Sequence, residues 1–73
     1  MTNAEKIALL EEVMELEEGT LQQDDVLEEY DEWDSVTILG IISLIDEEFG
    51  KTVTGKEVRD IKTVSGLLDM MES

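Results

Sequence analysis

The residues that could do covalent chemistry are few in this 73-residue chain, which has no histidine and no cysteine. Asp34-Ser35-Val36 comes first: an acid and a hydroxyl at the mouth of an aliphatic stretch. Alone, Asp then Ser is ordinary helix-capping chemistry. The setting is more specific. A long acidic loop precedes it, and the aliphatic stretch after it ends in Asp46-Glu47-Glu48-Phe49-Gly50. A helix N-terminus favours a phosphate, because free N–H groups and the helix dipole point there. A serine at that place can hold a phosphodiester, and an exposed hydroxyl on a cap stays within reach of a modifying enzyme.

Other chemistries fail on residue type or spacing. Lys6, Lys51, Lys56, Arg59 and Lys62 form no phosphate cradle, and no G-x-x-x-x-G-K motif occurs. Close carboxylate pairs say little in a chain with 20 acids, where a solvated face is the ordinary explanation. A calcium loop needs oxygen ligands at alternate positions and glycine at the sixth. Counted from Asp31, the third position is Trp33 and the sixth is Val36, so the pattern fails. No metal site is expected, only weak and diffuse binding of divalent cations.

Four helices must position Asp34-Ser35. Thr2 and Glu5 make a capping-box pattern opening a helix over residues 3–17, with Ile7, Leu10 and Met14 on one face. Leu9, Val13 and Leu16 widen that stripe. Glu11, Glu12, Glu15, Glu17 and Glu18 fill the wet side, and Gly19 is the stop signal. Residues 19–34 show no clean period. Leu21, Leu27, Tyr30 and Trp33 argue for a long loop pinned to the core, with a helical turn near Val26 to Tyr30. Asp34 caps the second helix, whose stripe is Ile38, Ile41, Ile42, Ile45 and Phe49, and Gly50 stops it. Thr54 and Glu57 cap a short third helix through Ile61. Thr63 caps a last helix bearing Val64, Leu67, Leu68 and Met71. Gly40 and Gly66 sit inside helices at about 1 kcal/mol each relative to alanine, which calls for close packing or a binding role. The expected fold is all-α: a small four-helix bundle with a long loop between helices one and two and a short third helix.

Charge narrows function further. Five basic against 20 acidic residues give −15. Nucleic acids and anionic membrane surfaces repel such a chain; basic protein surfaces and divalent cations attract it. No apolar run approaches the length of a membrane span, so no membrane insertion is expected. The N-terminal residues lack a signal-peptide layout. The lack of cysteine is compatible with the cytoplasm, the expected location. A single domain over residues 1–73, monomeric, is expected.

The sequence resembles the acyl carrier protein family over nearly its whole length. The resemblance rests on length, acidity, Glu32-Trp33-Asp34-Ser35-Val36, Leu44-Ile45-Asp46-Glu47-Glu48-Phe49-Gly50, and Ile61-Lys62-Thr63-Val64 before the last helix. It implies a carrier rather than an enzyme. Ser35 would bear 4′-phosphopantetheine, donated by coenzyme A through a Mg²⁺-dependent phosphopantetheinyl transferase. Asp34 would help that transferase and its metal engage. The arm's thiol, imported into a chain without cysteine, would hold acyl groups as thioesters. Acyl-loading ligases or synthases with basic docking patches would be the other partners, meeting Val36, Glu47, Glu48 and Trp33. Trp33 has a second reading, as a plug anchoring the loop. Ile38, Ile41, Ile42, Ile45, Val53, Val58, Ile61 and Leu67 are core residues that, by resemblance, also line an acyl-chain pocket opening between helices two and three.

Departures from the family matter too. Its fatty-acid members usually carry Leu or Met after the serine and acids in the next turns. Here those places hold Val36, Thr37 and Gly40. A partner set distinct from housekeeping fatty-acid synthesis is expected, in a specialised lipid or secondary-metabolite pathway. Efficient loading by housekeeping synthesis enzymes would count against it. An aminoacyl, D-alanyl or peptidyl carrier is the alternative within the same architecture. An unmodified acidic helical adaptor is the alternative outside it.

Overall fold

The computed structural model describes residues 2–72, apart from the side chain of Glu72. Its helices are α1 (Asn3–Val13), α2 (Ser35–Phe49), α3 (Gly55–Arg59) and α4 (Val64–Glu72), with a 3-10 turn at Leu27–Glu29. The expected all-α, four-helix architecture is therefore present. The Thr2 hydroxyl accepts the Glu5 N–H at 3.2 Å, and the Glu5 carboxylate accepts the Thr2 N–H at 3.0 Å. This completes the capping box of α1. Thr54 supplies only the first half of such a box, accepting the Glu57 N–H at 3.2 Å. Thr63 caps α4 by accepting the Gly66 N–H at 3.3 Å.

Helix α1 ends four residues before the sequence predicts. Leu16 N–H reaches back to the Glu11 carbonyl at 2.8 Å, and Glu15 N–H to that of Glu12 at 3.2 Å. These two bonds make a Schellman ending, with the left-handed residue between them. That residue is Glu15, at φ +59°, and not Gly19. Gly19, at φ +89°, shapes a later turn. Helix α3 likewise stops at Arg59 rather than Ile61.

Glu11 is the second correction. It lies in the core, 3% exposed, and not on the wet side. One carboxylate oxygen accepts the N–H groups of Gly19 and Leu21, each at 2.9 Å. Backbone turning away from a helix end leaves donors that need acceptors, and Glu11 supplies one for two of them. Among the described residues Lys6 is the other charged residue inside, at 1% exposure.

The core is aliphatic. Leu10, Met14, Leu21, Leu27, Ile38, Ile41, Ile45, Val53, Val58, Val64, Leu67, Leu68 and Met71 are buried. Helix α2 packs against the other three helices, and α1 also against α4. The long loop is fastened by backbone. Val26 and Thr63 form an isolated antiparallel bridge. Leu27 N–H donates to Lys62 O at 3.0 Å, Val64 N–H to Asp25 O at 3.1 Å, and Ser65 N–H to Gln23 O at 3.0 Å. Leu21 and Leu27 sink into the core beneath these bonds.

Both helical glycines mark close approaches. A Cβ at Gly40 would stand 3.0 Å from Val13 Cγ1, and one at Gly66 3.2 Å from Ile61 Cγ2. Gly40 thus lets α1 and α2 touch beside the candidate site.

Candidate functional site

Three elements converge at the start of α2. Its cap, Asp34, is extended at φ −127° and accepts the Thr37 N–H through Oδ1 at 2.9 Å. The Asp34 carbonyl takes the Ile38 N–H at 2.9 Å. Ser35 is the first helical residue and is exposed. Among the described residues, the N–H groups of Ser35 and Val36 donate to nothing in the chain. They stay open to a ligand oxygen, as the first turn of a helix allows.

The loop before Asp34 is held by local bonds. Trp33 N–H donates to the Tyr30 carbonyl at 3.0 Å, and Tyr30 N–H to that of Leu27 at 3.1 Å. The Tyr30 hydroxyl donates to Asp25 Oδ2 at 2.6 Å, an oxygen that also takes the Gln22 N–H at 2.8 Å. These bonds favour the carboxylate, so the Asp25 carboxyl lies below its ordinary range, chiefly through Tyr30. The Tyr30 hydroxyl is pushed up to about 12, first by its bond to Asp25 and then by burial. Trp33 is half-buried against the core, as a loop anchor should be.

Val36 is 76% exposed, next to Ser35. Leu39, not singled out from the sequence, is 64% exposed one turn later. Its signal was available. Residues 36 and 39 lie off the Ile38–Ile41–Ile45 stripe, so neither can reach the core. Glu47 and Glu48 are exposed too, but Glu47 stands about 18 Å up the helix from Ser35, at 1.5 Å per residue. The predicted partner-facing residues therefore form two groups, one at each end of α2.

The predicted pocket residues do come together. Ile38, Ile41, Ile45, Val53, Val58 and Leu67 are buried, and Ile42 and Ile61 half-buried. They pack as core between α2, α3 and α4. Ile42 Cδ1 lies 3.9 Å from where a Cβ on Gly55 would be, so the N-terminus of α3 sits on α2 at that point.

A cleft opens on the other flank of α2, toward α1. It holds about 360 Å³ and is lined by Val13, Met14, Val36, Thr37 and Gly40, with Glu15, Glu32 and Asp34. Asp34 and Val36 flank Ser35, so the cleft adjoins the serine. Glu15 and Glu32 were not foreseen as site residues. A glutamate at positive φ leaves no mark in sequence that would place it here.

Among the described residues no His, Cys, Asp and Glu side chains gather in a group that could hold a metal ion. No helix among them is long and apolar enough to cross a membrane. An exposed serine on an open helix N-terminus fits a covalently held phosphate, and a thiol-free chain needs such a group to do thioester chemistry.

Comparison with known proteins agrees. The searches of curated proteins and of solved structures each gave no match. The family model described as "Phosphopantetheine attachment site" matches residues 7–71. Carriers of that family take 4′-phosphopantetheine covalently and meet a phosphopantetheinyl transferase and acyl-handling enzymes. The match runs from α1 to α4, so this chain belongs to the phosphopantetheine-attachment family and is a carrier protein.

Proposed function

We propose that the chain is an acyl carrier protein and that Ser35 is its point of attachment. One observation carries the reading. Ser35 is an exposed hydroxyl on the first turn of a 15-residue helix, and no group among the described residues takes the open N–H groups around it. They would face the phosphate oxygens of the arm. The arm, when bound, supplies the thiol that holds the acyl group. Asp34 keeps the first turn in place through Thr37 and offers its second oxygen to the transferase. The other serines among the described residues differ in setting. Ser43 is in mid-helix, and Ser65 has its N–H tied to Gln23.

An acyl cargo is favoured over an aminoacyl or peptidyl one by the aliphatic lining. Ile38, Ile41, Ile42, Ile45, Val53, Val58, Ile61 and Leu67 give a fatty chain an apolar interior once α2 and α3 part. Val36, Trp33, Glu47 and Glu48 are the proposed contacts for loading enzymes. The chain acts as a single domain in the cytoplasm, without catalysis of its own. Its pathway is a specialised one, since Val36, Thr37 and Gly40 give the first turns of α2 no acid of their own.

The test is intact mass before and after incubation with coenzyme A, Mg²⁺ and a broad-specificity phosphopantetheinyl transferase. One added phosphopantetheine is expected on wild type, on Ser43→Ala and on Ser65→Ala, and none on Ser35→Ala. Addition to Ser35→Ala would sink the assignment. No addition to folded wild type, across several transferases, would leave Asp34-Ser35 as a cap and favour the acidic adaptor.

A further inference from the structure

Helix α3 is held in unlike ways at its two ends. After it, residues 61–65 are fastened to the long loop by backbone. Leu27 N–H bonds Lys62 O, Val64 N–H bonds Asp25 O, and Ser65 N–H bonds Gln23 O. The Val26–Thr63 bridge lies among these bonds, and Ile61 sits close on Gly66 of α4. Before α3, residues 51–54 make no backbone bond to another element among the described residues. That stretch is held instead by two side chains. Val53 is buried in the core. The Lys51 ammonium donates to the Met70 carbonyl at 2.8 Å.

The choice of acceptor is informative. The chain offers 20 acidic side chains, yet this half-buried cation bonds a backbone carbonyl. Met70 lies in the last turn of α4, where carbonyls have no partner within the helix. That turn has no basic residue of its own, and a cation there meets the negative end of the helix dipole. Lys51 thus supplies, from the connection between α2 and α3, what the end of α4 lacks.

We propose that Lys51 is the latch on the interior between α2 and α3. The proposal rests on the carrier reading above, in which an acyl chain enters there. On opening, α3 swings on the fastened residues 61–65, and its Gly55 end leaves Ile42 on α2. An incoming acyl chain replaces the apolar contacts that Val53 gives up. It has no donor for the Met70 carbonyl, so the Lys51 bond is the part of the closed state that cargo cannot replace. The strength of that bond then sets how often the interior opens. Lys51 acts as a positioning residue for α3, at the far end of α2 from Ser35.

The test is amide hydrogen exchange of the unmodified chain, with urea denaturation beside it. The Val58 N–H, bonded to Thr54 O at 3.2 Å, reports on α3. A five-residue helix off the core does not keep its own bonds. Lys51→Met keeps an apolar stem and removes the donor. It should speed Val58 exchange about tenfold, by the whole factor that its unfolding constant gains in urea. Lys51→Arg keeps a cation and a donor and should restore slow exchange. Lys62→Met makes the same charge change at the pivot, which stays fastened, and should leave Val58 exchange within about twofold of wild type. A fall in stability with unchanged Val58 exchange overturns the latch, because the bond would then survive the opening. So does a Lys51→Met variant that matches wild type in both measurements, or an equal rise in Lys62→Met. A transferase can also load the chain from octanoyl-coenzyme A. Loaded Lys51→Met should then lose its thioester to hydroxylamine about threefold more slowly than loaded wild type, since its interior is open to the chain more often. Equal rates would overturn the proposal too. A wild type that accepts no arm would instead overturn the carrier reading, while the exchange result is still read on the unmodified chain.

Discussion

The carboxylate of Glu11 accepts the backbone N–H of Leu21 at 2.9 Å inside the core, tying the end of α1 to a loop ten residues on. The same oxygen holds Gly19. Glu11→Ala should cost about 2–4 kcal/mol, because charge-assisted bonds are lost and buried donors stay unmet. Relief of one charge in fifteen offsets only tenths of that. Glu11→Gln keeps an acceptor oxygen and should lose less. Urea denaturation of the three proteins checks the order; equal stability would refute it.

Gly40 and Val13 are coupled by contact. Alanine in place of glycine gains about 1 kcal/mol of helix propensity. The new methyl, 3.0 Å from Val13 Cγ1, meets a stiff β-branched neighbour. The clash should win, making Gly40→Ala a net loss of about 1 kcal/mol. In a Val13→Ala background the same change should stabilise. A double-mutant cycle reads this directly, and additivity would contradict it.

Tyr30 and Asp25 make stability depend on pH in two windows. The Tyr30 hydroxyl is raised to about 12 from an ordinary value of 10.0. Its contribution is complete below pH 10 and lost as pH rises toward 12. The Asp25 carboxyl is lowered from 3.8, so its contribution holds above that pH and fades as pH falls through the folded value. Tyr30→Phe should remove the alkaline dependence and weaken the acid one, since the Gln22 N–H still bonds Asp25. Denaturation at pH 7, 10 and 12, and again at pH 4 and 2.5, should show the wild-type advantage over the variant shrinking at both extremes.

Net charge sets a third dependence. Fifteen uncompensated negative charges repel one another, and salt or divalent cations screen them. The melting temperature should rise between low salt and millimolar Mg²⁺ or Ca²⁺. An unchanged value would count against charge repulsion as a limit on stability.

The second helix was fully legible in the sequence. Asp34, the isoleucine stripe and Gly50 act there as local rules require, since Gly50 takes φ +62° and Asp34 caps. The ends of α1 and α3 were not legible. Local rules put the left-handed turn at Gly19, whereas Leu21 docking in the core and Glu11 bonding behind it drew the turn back to Glu15. Tertiary packing outweighed a preference worth about 1 kcal/mol. Ser35 and its cap could be read from types and spacing. The cleft beside them could not, because its acids come from two separate stretches of chain, Glu15 after α1 and Glu32 with Asp34 before α2.

The bonds from residues 23–27 to residues 62–65 also have a consequence for timing. A chain emerging from a ribosome exposes its N-terminal part first. Helix α2 is thus synthesised before the residues that anchor the loop ahead of it. Until Ser65 has emerged, Tyr30, Glu32 and Trp33 have no fixed frame, and the surroundings of Ser35 are unfinished. An enzyme that recognises the loop together with the serine would therefore act on chains in which residues 62–65 have docked and pass over those in which they have not.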